Sequence, residues 1–193
     1  MIYIIRHGQT EKNRARVLQG RSDVPLNQEG RNQAARVRDW FQSQDINFDM
    51  VYSSPLQRAV ETAAIITKVC PLRIDHRLIE MDYGPYEGMD LLKPLPEVSL
   101  FFSDFVHNPA PAGMESLEEV VRRAGAFMEE IKPDAGGKSI LVSTHAIAMK
   151  GILEYLTPDS HGSWWSKYVS NCSVYRTEVV GNHYSTPEEV FCL

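Results

Sequence analysis

The chain has 193 residues, of which 43% are hydrophobic and 23% are charged, and its formal net charge at pH 7 is −5. A chain of this length can bury roughly 70% of the surface that its unfolded form exposes. We therefore expect a single domain over residues 1–193 that folds without a metal or a disulfide. The acidic balance and the lack of long Lys or Arg runs argue against nucleic-acid and anionic-membrane partners.

The cysteines and most of the histidines show no pattern of a metal or disulfide site. The spacings of the cysteines are typical neither of a disulfide framework nor of a zinc site: Cys70, Cys172 and Cys192. No metal-ligand spacing relates His76, His107, His161 and His183. The apolar stretch before Arg6 is too short for a signal peptide or a membrane span. We expect a cytoplasmic protein without a metal or other cofactor.

Continuous apolar segments predict the strands of a buried sheet. Ile2 to Ile5, Phe48 to Tyr52 and Ser139 to Val142 are each followed by a helical pattern. This alternation predicts an α/β fold, a three-layer α/β/α sandwich with a mostly parallel central sheet. Leu72 to Ile74 predicts a further short strand, and Cys172 to Val180 predicts a late one.

Capping residues and apolar spacings predict helices in the segments between these strands. Asn27 is a candidate cap for a helix with apolar positions at Ala34, Val37 and Phe41. Ser54 and Pro55 predict the start of the next helix, with the buried stripe Leu56, Ala59, Ala63, Ile66 and Val69. Ser116 to Glu119 form a capping box before a helix whose predicted core face is Leu117, Val121, Ala124, Met128 and Ile131. Ala146 to Leu156 predicts one more helix.

Residues 82–113 form the least regular part of the chain. The segment is rich in proline and is too long for a plain connection. It predicts an insertion with a short helix near Glu97 to Val106 that lies over the functional crevice as a lid. A surface excursion that only covers a sheet edge is the alternative.

Cationic and imidazole side chains follow the predicted strands. Arg6 and His7 end the first strand, and His145 ends the strand that begins at Ser139. Ligands of open parallel sheets bind at the carboxyl ends of the strands, so these groups are expected at one crevice. Arg58 falls in the first turn of a helix, where a cation is unfavourable unless an anion lies nearby. The two arginines and the two histidines together therefore predict a phosphate pocket. For Arg58 alone, a salt bridge to Glu61 is the alternative.

A series of motifs runs in one order over residues 2–145: Arg6-His7-Gly8-Gln9-Thr10, Asn13, Gln19-Gly20, Asp23-Val24-Pro25-Leu26, Ser53-Ser54-Pro55-Leu56-Gln57-Arg58-Ala59, Leu78-Ile79-Glu80 with Gly84 and Glu87-Gly88, and Ser143-Thr144-His145. Together they resemble the histidine phosphatase superfamily, in its phosphoglycerate mutase-like branch. Asn171-Cys172-Ser173 is similar to the final strand of that family.

The resemblance implies a role for each matched residue. His7 is expected to take the phosphoryl group and Glu80 to give the leaving group its proton, with Asp82 and Glu87 as alternatives for that acid. The residues expected to bind the phosphate or the substrate are Arg6, Asn13, Gln19, Gly20, Arg58 and His145. Phosphoryl transfer requires positioning and charge stabilisation, which these groups supply without Mg²⁺.

Two departures from the family pattern limit what the resemblance implies. Ala146 stands where the family commonly has glycine, which adds methyl groups near the phosphate pocket. Residues 89–113 offer only Lys93 and His107 for a second anion, which favours a hydrolase over a mutase. We therefore expect a metal-independent phosphomonoesterase that acts through a phosphohistidine on a small phosphate ester, with inorganic phosphate as product. A phosphoglycerate mutase and a non-catalytic relative that binds phosphorylated ligands are the alternatives. No oligomeric state follows from the sequence.

Overall fold

The computed structural model describes residues 1–67 and 71–193. Its strands are β1 (Ile2–Arg6), β2 (Met50–Ser53), β3 (Leu72–Ile74), β4 (Ile140–Thr144), β5 (Val174–Thr177), β6 (Val179–Val180), β7 (His183–Tyr184) and β8 (Glu188–Phe191). Six of them form one sheet in the order β3-β2-β4-β1-β5-β8, and β6 pairs with β7 separately. The first four in that order are mutually parallel, whereas β5 and β8 are antiparallel to their neighbours. The mostly parallel central sheet is confirmed.

Helices cover both faces of this sheet. They are α1 (Glu11–Arg14), α2 (Gln28–Ser43), α3 (Gln57–Thr67), α4 (Pro96–Ser103), α5 (Leu117–Ile131), α6 (Ala146–Leu156) and α7 (Ser163–Ser166). Ile2 and Ile4 pack in the cluster that contains α5 and α6, whereas Tyr3 and Ile5 pack against α2 and α3. Successive strand residues point to opposite faces, so β1 is apolar throughout because both of its faces are covered. No helix among the described residues is long and apolar enough to cross a membrane.

The start of α3 differs from the prediction. The helix begins at Gln57, and Ser54 and Pro55 precede it. The cap comes from a distant segment, because Asp23 Oδ1 accepts from Gln57 N at 2.7 Å. The predicted stripe is buried from Leu56 to Ile66, and Val69 lies outside the described residues, as does Cys70.

Two further features differ from the sequence prediction, the core face of α5 and the extent of the late strand, and tertiary packing determines both. The core face of α5 includes Val120 and Phe127, whereas the predicted Leu117 and Val121 are only partly buried, because they pack toward the insertion. The predicted late strand is divided at Glu178, where the chain turns so that Glu178 N donates to Ser185 Oγ at 3.0 Å. The part before the turn is β5, and β8 then pairs with it at the sheet edge.

The insertion contains α4, a helix shorter than the sequence predicts. Phe101 is buried in a cluster with Leu18, Val120 and Ile147 that joins the insertion to α5 and α6. Part of its apolar content is therefore a small core of its own. Whether the segment acts as a lid over the crevice stays a prediction.

Candidate active site

The site lies where β1 and β4 end side by side. Arg6 is in register with Thr144, and His7 N donates to Thr144 O at 3.0 Å. His7 and His145 therefore leave neighbouring strands at the same edge, and their ring centroids are 5.1 Å apart. Both rings are buried. The chain thus brings together two imidazoles whose residues are far apart in sequence.

His7 is held in a tautomer that leaves one ring nitrogen free. Its Nδ1 lies 2.7 Å from Gly8 O, and a carbonyl oxygen only accepts, so Nδ1 carries the proton. Its Nε2 then has a lone pair that faces Arg58 Nε at 3.3 Å. Burial, followed by the charges of Arg58 and Arg6, lowers the pKa of His7 well below its ordinary value. His7 is therefore a neutral imidazole whose Nε2 carries the lone pair.

His145 has the complementary arrangement. Its Nδ1 faces Arg58 Nε at 3.2 Å, and its Nε2 donates to Ser54 Oγ at 2.7 Å. Burial, followed by the Arg58 charge, lowers the pKa of His145 well below its ordinary value. The Ser54 hydroxyl therefore orients this ring, and it also accepts from Leu56 N at 3.3 Å just before α3. The signal for that role is its place beside Ser53 at the end of β2, next to β4.

Arg58 is fixed at the centre of the site by backbone carbonyls. Its Nη2 donates to Gly20 O at 2.6 Å and its Nη1 to Ser22 O at 2.8 Å. The Gln19 amide, oriented with its oxygen toward the guanidinium, accepts from Nε at 2.7 Å. Burial lowers the pKa of Arg58 to about 10. The alternative ion pair with Glu61 is not formed, because Glu61 pairs with Arg31.

Gly20 and Asn13 are placed beside the site by different contacts. Gly20 N donates to Glu87 Oε2 at 2.9 Å, so both polar groups of Gly20 are engaged within the protein. Asn13 Oδ1 accepts from Thr10 N at 3.2 Å, and Asn13 lines the cavity described below. Gly20 thus holds Arg58, whereas Asn13 faces the space that a ligand would fill.

Arg6 has an unsatisfied donor. Its Nη1 donates to Val169 O, whereas its buried Nε has no hydrogen-bond partner among the described residues. Buried polar groups in proteins are normally paired, so an orphaned guanidinium N–H is a candidate anion donor. Burial also lowers the pKa of Arg6 from its ordinary value.

Glu80 is buried at the start of α6. It is 4% exposed, and its oxygens accept from Met81 N at 2.9 Å, Ala148 N at 3.0 Å and Ile147 N at 3.2 Å. Glu80 is therefore a buried carboxyl group, and the nearby Arg77 pairs instead with Asp75 and Glu130. The alternative acids are engaged elsewhere: Asp82 pairs with Arg21, and Glu87 accepts from Gly20 and Ser22.

A cavity of about 580 Å³ opens over these groups. The predicted site residues that line it are Arg6, His7, Asn13, Gln19 and Glu80. Its apolar wall contains Val17, Leu18, Leu91, Pro94, Phe102 and Phe105. The insertion therefore contributes to the cavity, whereas Arg58 and His145 contact His7 but do not line the cavity. Among the described residues, no group of three His, Cys, Asp or Glu side chains is arranged to hold a metal ion.

Tyr83 and Lys150 also line the cavity, and the sequence analysis assigns neither of them to the site. Lys150 falls at an ordinary position of a predicted helix, and its ammonium is buried only because α7 and the insertion pack against α6. No local pattern signals such a position.

The family model of the histidine phosphatase superfamily (branch 1) matches residues 2–187. The chain belongs to this superfamily. A putative phosphoserine phosphatase 2 of Hydrogenobacter thermophilus is 30% identical over 93% of the chain and 90% of that protein. A probable phosphoglycerate mutase of Yersinia pestis is 33% identical over 92% of the chain and 84% of that protein.

A solved structure has the same fold. It is a mutant phosphoserine phosphatase of Entamoeba histolytica in complex with phosphoserine, with a TM-score of 0.82 and 22% identity. The match covers 98% of this chain and 94% of that one. The resemblance of the motifs to the family and the phosphoglycerate mutase-like fold are thus confirmed.

Proposed function

We propose that the protein is a phosphomonoesterase that acts on small phosphate esters through a phosphohistidine at His7, without a metal ion. The observation that carries the proposal is the Nδ1 contact of His7 with Gly8 O, which leaves Nε2 as a neutral nucleophile beside Arg58. Phosphatase-named relatives support the same reaction class. A reducing cytoplasmic location and the lack of nucleic-acid and membrane partners belong to this proposal.

In the first step, His7 Nε2 forms a bond to phosphorus as the bond from phosphorus to the leaving oxygen breaks. Glu80 donates a proton to that oxygen, which departs as an alcohol. Arg6 and Asn13, which line the cavity, donate to the phosphoryl oxygens. Arg58 and His145, which contact His7, complete the neutralisation beside its Nε2. The Arg6 Nε without a partner supports this assignment, because a phosphate oxygen would satisfy it.

In the second step, water attacks the phosphohistidine and Glu80 accepts its proton as base. The bond from phosphorus to His7 Nε2 breaks, which releases inorganic phosphate and restores the neutral imidazole. Closing of residues 82–113 over the cavity during these steps is part of the same proposal. Its basis is that Leu91, Pro94 and Phe102 already form part of the cavity wall.

The site favours hydrolysis over mutase chemistry. The basic side chains of the insertion, Lys93 and His107, are exposed and do not line the cavity. A bisphosphate would therefore find no second basic site in that segment. An assay with 3-phosphoglycerate and a bisphosphate primer separates the two, since a hydrolase releases inorganic phosphate and a mutase forms 2-phosphoglycerate.

The proposed function predicts hydrolysis of p-nitrophenyl phosphate in EDTA by the wild-type protein. His7→Ala removes the nucleophile and is expected to lower kcat/KM by on the order of 10⁴-fold or more. The matched control is His183→Ala, which removes an exposed imidazole from β7 and leaves the rate at the wild-type value. Dependence of the rate on an added divalent metal contradicts metal independence. A His7→Ala variant as active as the control contradicts the phosphohistidine.

A further inference from the structure

Lys150 is a buried cation in the cavity that the proposed reaction does not use. It is 8% exposed, and its Nζ donates to Trp165 O at 2.7 Å. The ammonium also lies over the Phe105 ring, 5.1 Å from the centroid. These contacts join three separate segments, α6, α7 and the insertion, around one charged group.

No carboxylate among the described residues is hydrogen-bonded to this ammonium. An ammonium has three donors, and Trp165 O accepts from one of them. Burying a charge without a counter-ion is costly, and burial lowers the pKa of Lys150 to about 8. The group is therefore a cation that a ligand anion in the cavity would stabilise.

The position of Lys150 on α6 sets where that anion would lie. Ala146, Ile147 and Lys150 all line the cavity, as their helical spacing allows, since residues three and four apart share a face. Lys150 follows His145, the residue before α6, by five positions, which is ~7.5 Å along the helix axis. Because His7 and Lys150 line the same cavity, a phosphate at His7 and a second anion at Lys150 can belong to one small molecule.

We propose that Lys150 binds a carboxylate on the leaving group and so makes the enzyme selective for short phosphate esters that carry one. This inference rests on the proposed function. A carboxylate fits better than a second phosphate, because Lys150 supplies one positive charge, and of the two nearby charges that act on it, Glu80 and Arg6, Arg6 is already assigned to the phosphate at His7. The remaining wall is largely apolar, so the ammonium distinguishes a carboxylate from a neutral group of similar size.

Two matched substrate pairs test this selectivity: 3-phosphoglycerate with glycerol 3-phosphate, and O-phosphoserine with O-phosphoethanolamine. Within each pair the leaving group differs chiefly in the carboxylate. We expect the wild-type ratio of kcat/KM to favour the carboxylate member. In Lys150→Met, which keeps the length of the side chain and removes the charge, we expect this ratio to fall about 10- to 100-fold.

Two further variants separate recognition from structure. Lys93→Met removes an exposed lysine of the insertion and is expected to keep the wild-type ratio. Lys150→Arg retains a cation and is expected to restore most of the preference. An unchanged ratio in Lys150→Met overturns the inference. So does an equal loss for both members of each pair with a lowered Tm, because Lys150 would then only anchor α7.

Calorimetric titration of the same ligands into protein that carries His7→Ala, with and without Lys150→Met, makes the inference independent of turnover. A carboxylate preference in Kd that Lys150→Met abolishes supports the binding role even where no ester is hydrolysed, and in that case the proposed function alone fails. Hydrolysis by wild type with equal Kd values for both members of each pair leaves the proposed function standing and overturns the role of Lys150.

Discussion

Glu80 links two parts of the chain that are distant in sequence. Its carboxylate accepts from the N–H groups of Ile147 and Ala148 in the first turn of α6 and from the adjacent Met81 N. A helix N-terminus offers unpaired N–H groups, and here they hold the Glu80 side chain in place. Because α6 begins directly after His145, the strand end that places the imidazole also places the acid.

Glu80→Gln tests the acid role at this residue. The amide keeps the size of the side chain and an oxygen acceptor but has no acidic proton. We expect kcat/KM for an alkyl phosphate to fall by about 10²- to 10⁴-fold, and that for p-nitrophenyl phosphate to fall much less, because p-nitrophenolate departs without a proton. Steady-state rates with both substrates are the measurement, with the exposed Glu97→Gln as control. Equal slowing for the two leaving groups removes Glu80 from the acid role.

At the scale of elements, α3 is the clearest case of a helix placed by a distant residue. Asp23 Oδ1 accepts from Gln57 N at 2.7 Å, and Asp23 Oδ2 accepts from Gln57 Nε2 at 3.1 Å. The same loop supplies the carbonyls of Gly20 and Ser22 that hold Arg58 in the first turn of α3. One loop therefore caps the helix and orients its guanidinium.

Asp23→Ala is expected to lower the free energy of unfolding by about 0.5–2 kcal/mol, the usual cost of removing a helix cap. Urea unfolding followed by circular dichroism measures it. Asp23→Asn keeps an oxygen that accepts from Gln57 N and is expected to retain most of the stability. If the two substitutions are equally destabilising, the charge of Asp23 matters instead of the cap.

Local patterns predicted those elements whose signals lie within the element. The strand β1 is apolar because both its faces are covered, and the Ser116 capping box forms as its spacing predicts. The predicted start of α3 was wrong because the residue that caps this helix, Asp23, lies 34 residues away from Gln57. A serine directly before a proline has the sequence pattern of a helix cap whatever its hydroxyl contacts. For Ser54 the contact is with the His145 imidazole, which follows another strand.

At the scale of the whole molecule, the sheet determines which parts of the site the sequence reveals. Arg6, His7 and His145 follow directly from strand ends, so the topology of a parallel sheet brings them to one edge. Lys150 and Phe105 meet only because the insertion packs across α6, a contact that no periodicity encodes. The part of the cavity formed at the strand ends was therefore predictable, whereas the part around Lys150 and Phe105 was not.

The buried imidazoles also couple the stability of the whole molecule to pH. Burial and the Arg58 charge lower the pKa of His7 and His145 well below 6.5. In the unfolded chain both rings take up protons as the pH falls through that value, whereas in the folded protein they stay neutral. The unfolded state therefore binds more protons below about pH 6.5, and the free energy of unfolding decreases as the pH falls.

We expect the free energy of unfolding to decrease between pH 7.5 and 5.5, with a limiting slope of about 1.4 kcal/mol per pH unit for each of the two histidines. Urea denaturation across that range measures it. Inorganic phosphate at saturating concentration is expected to reduce the slope, because a bound dianion favours protonated imidazoles in the folded protein. In the double variant His7→Asn with His145→Asn the slope should largely vanish. A wild-type stability that is flat over this range contradicts the burial of neutral imidazoles, whereas a slope unaffected by phosphate places the anion away from these rings.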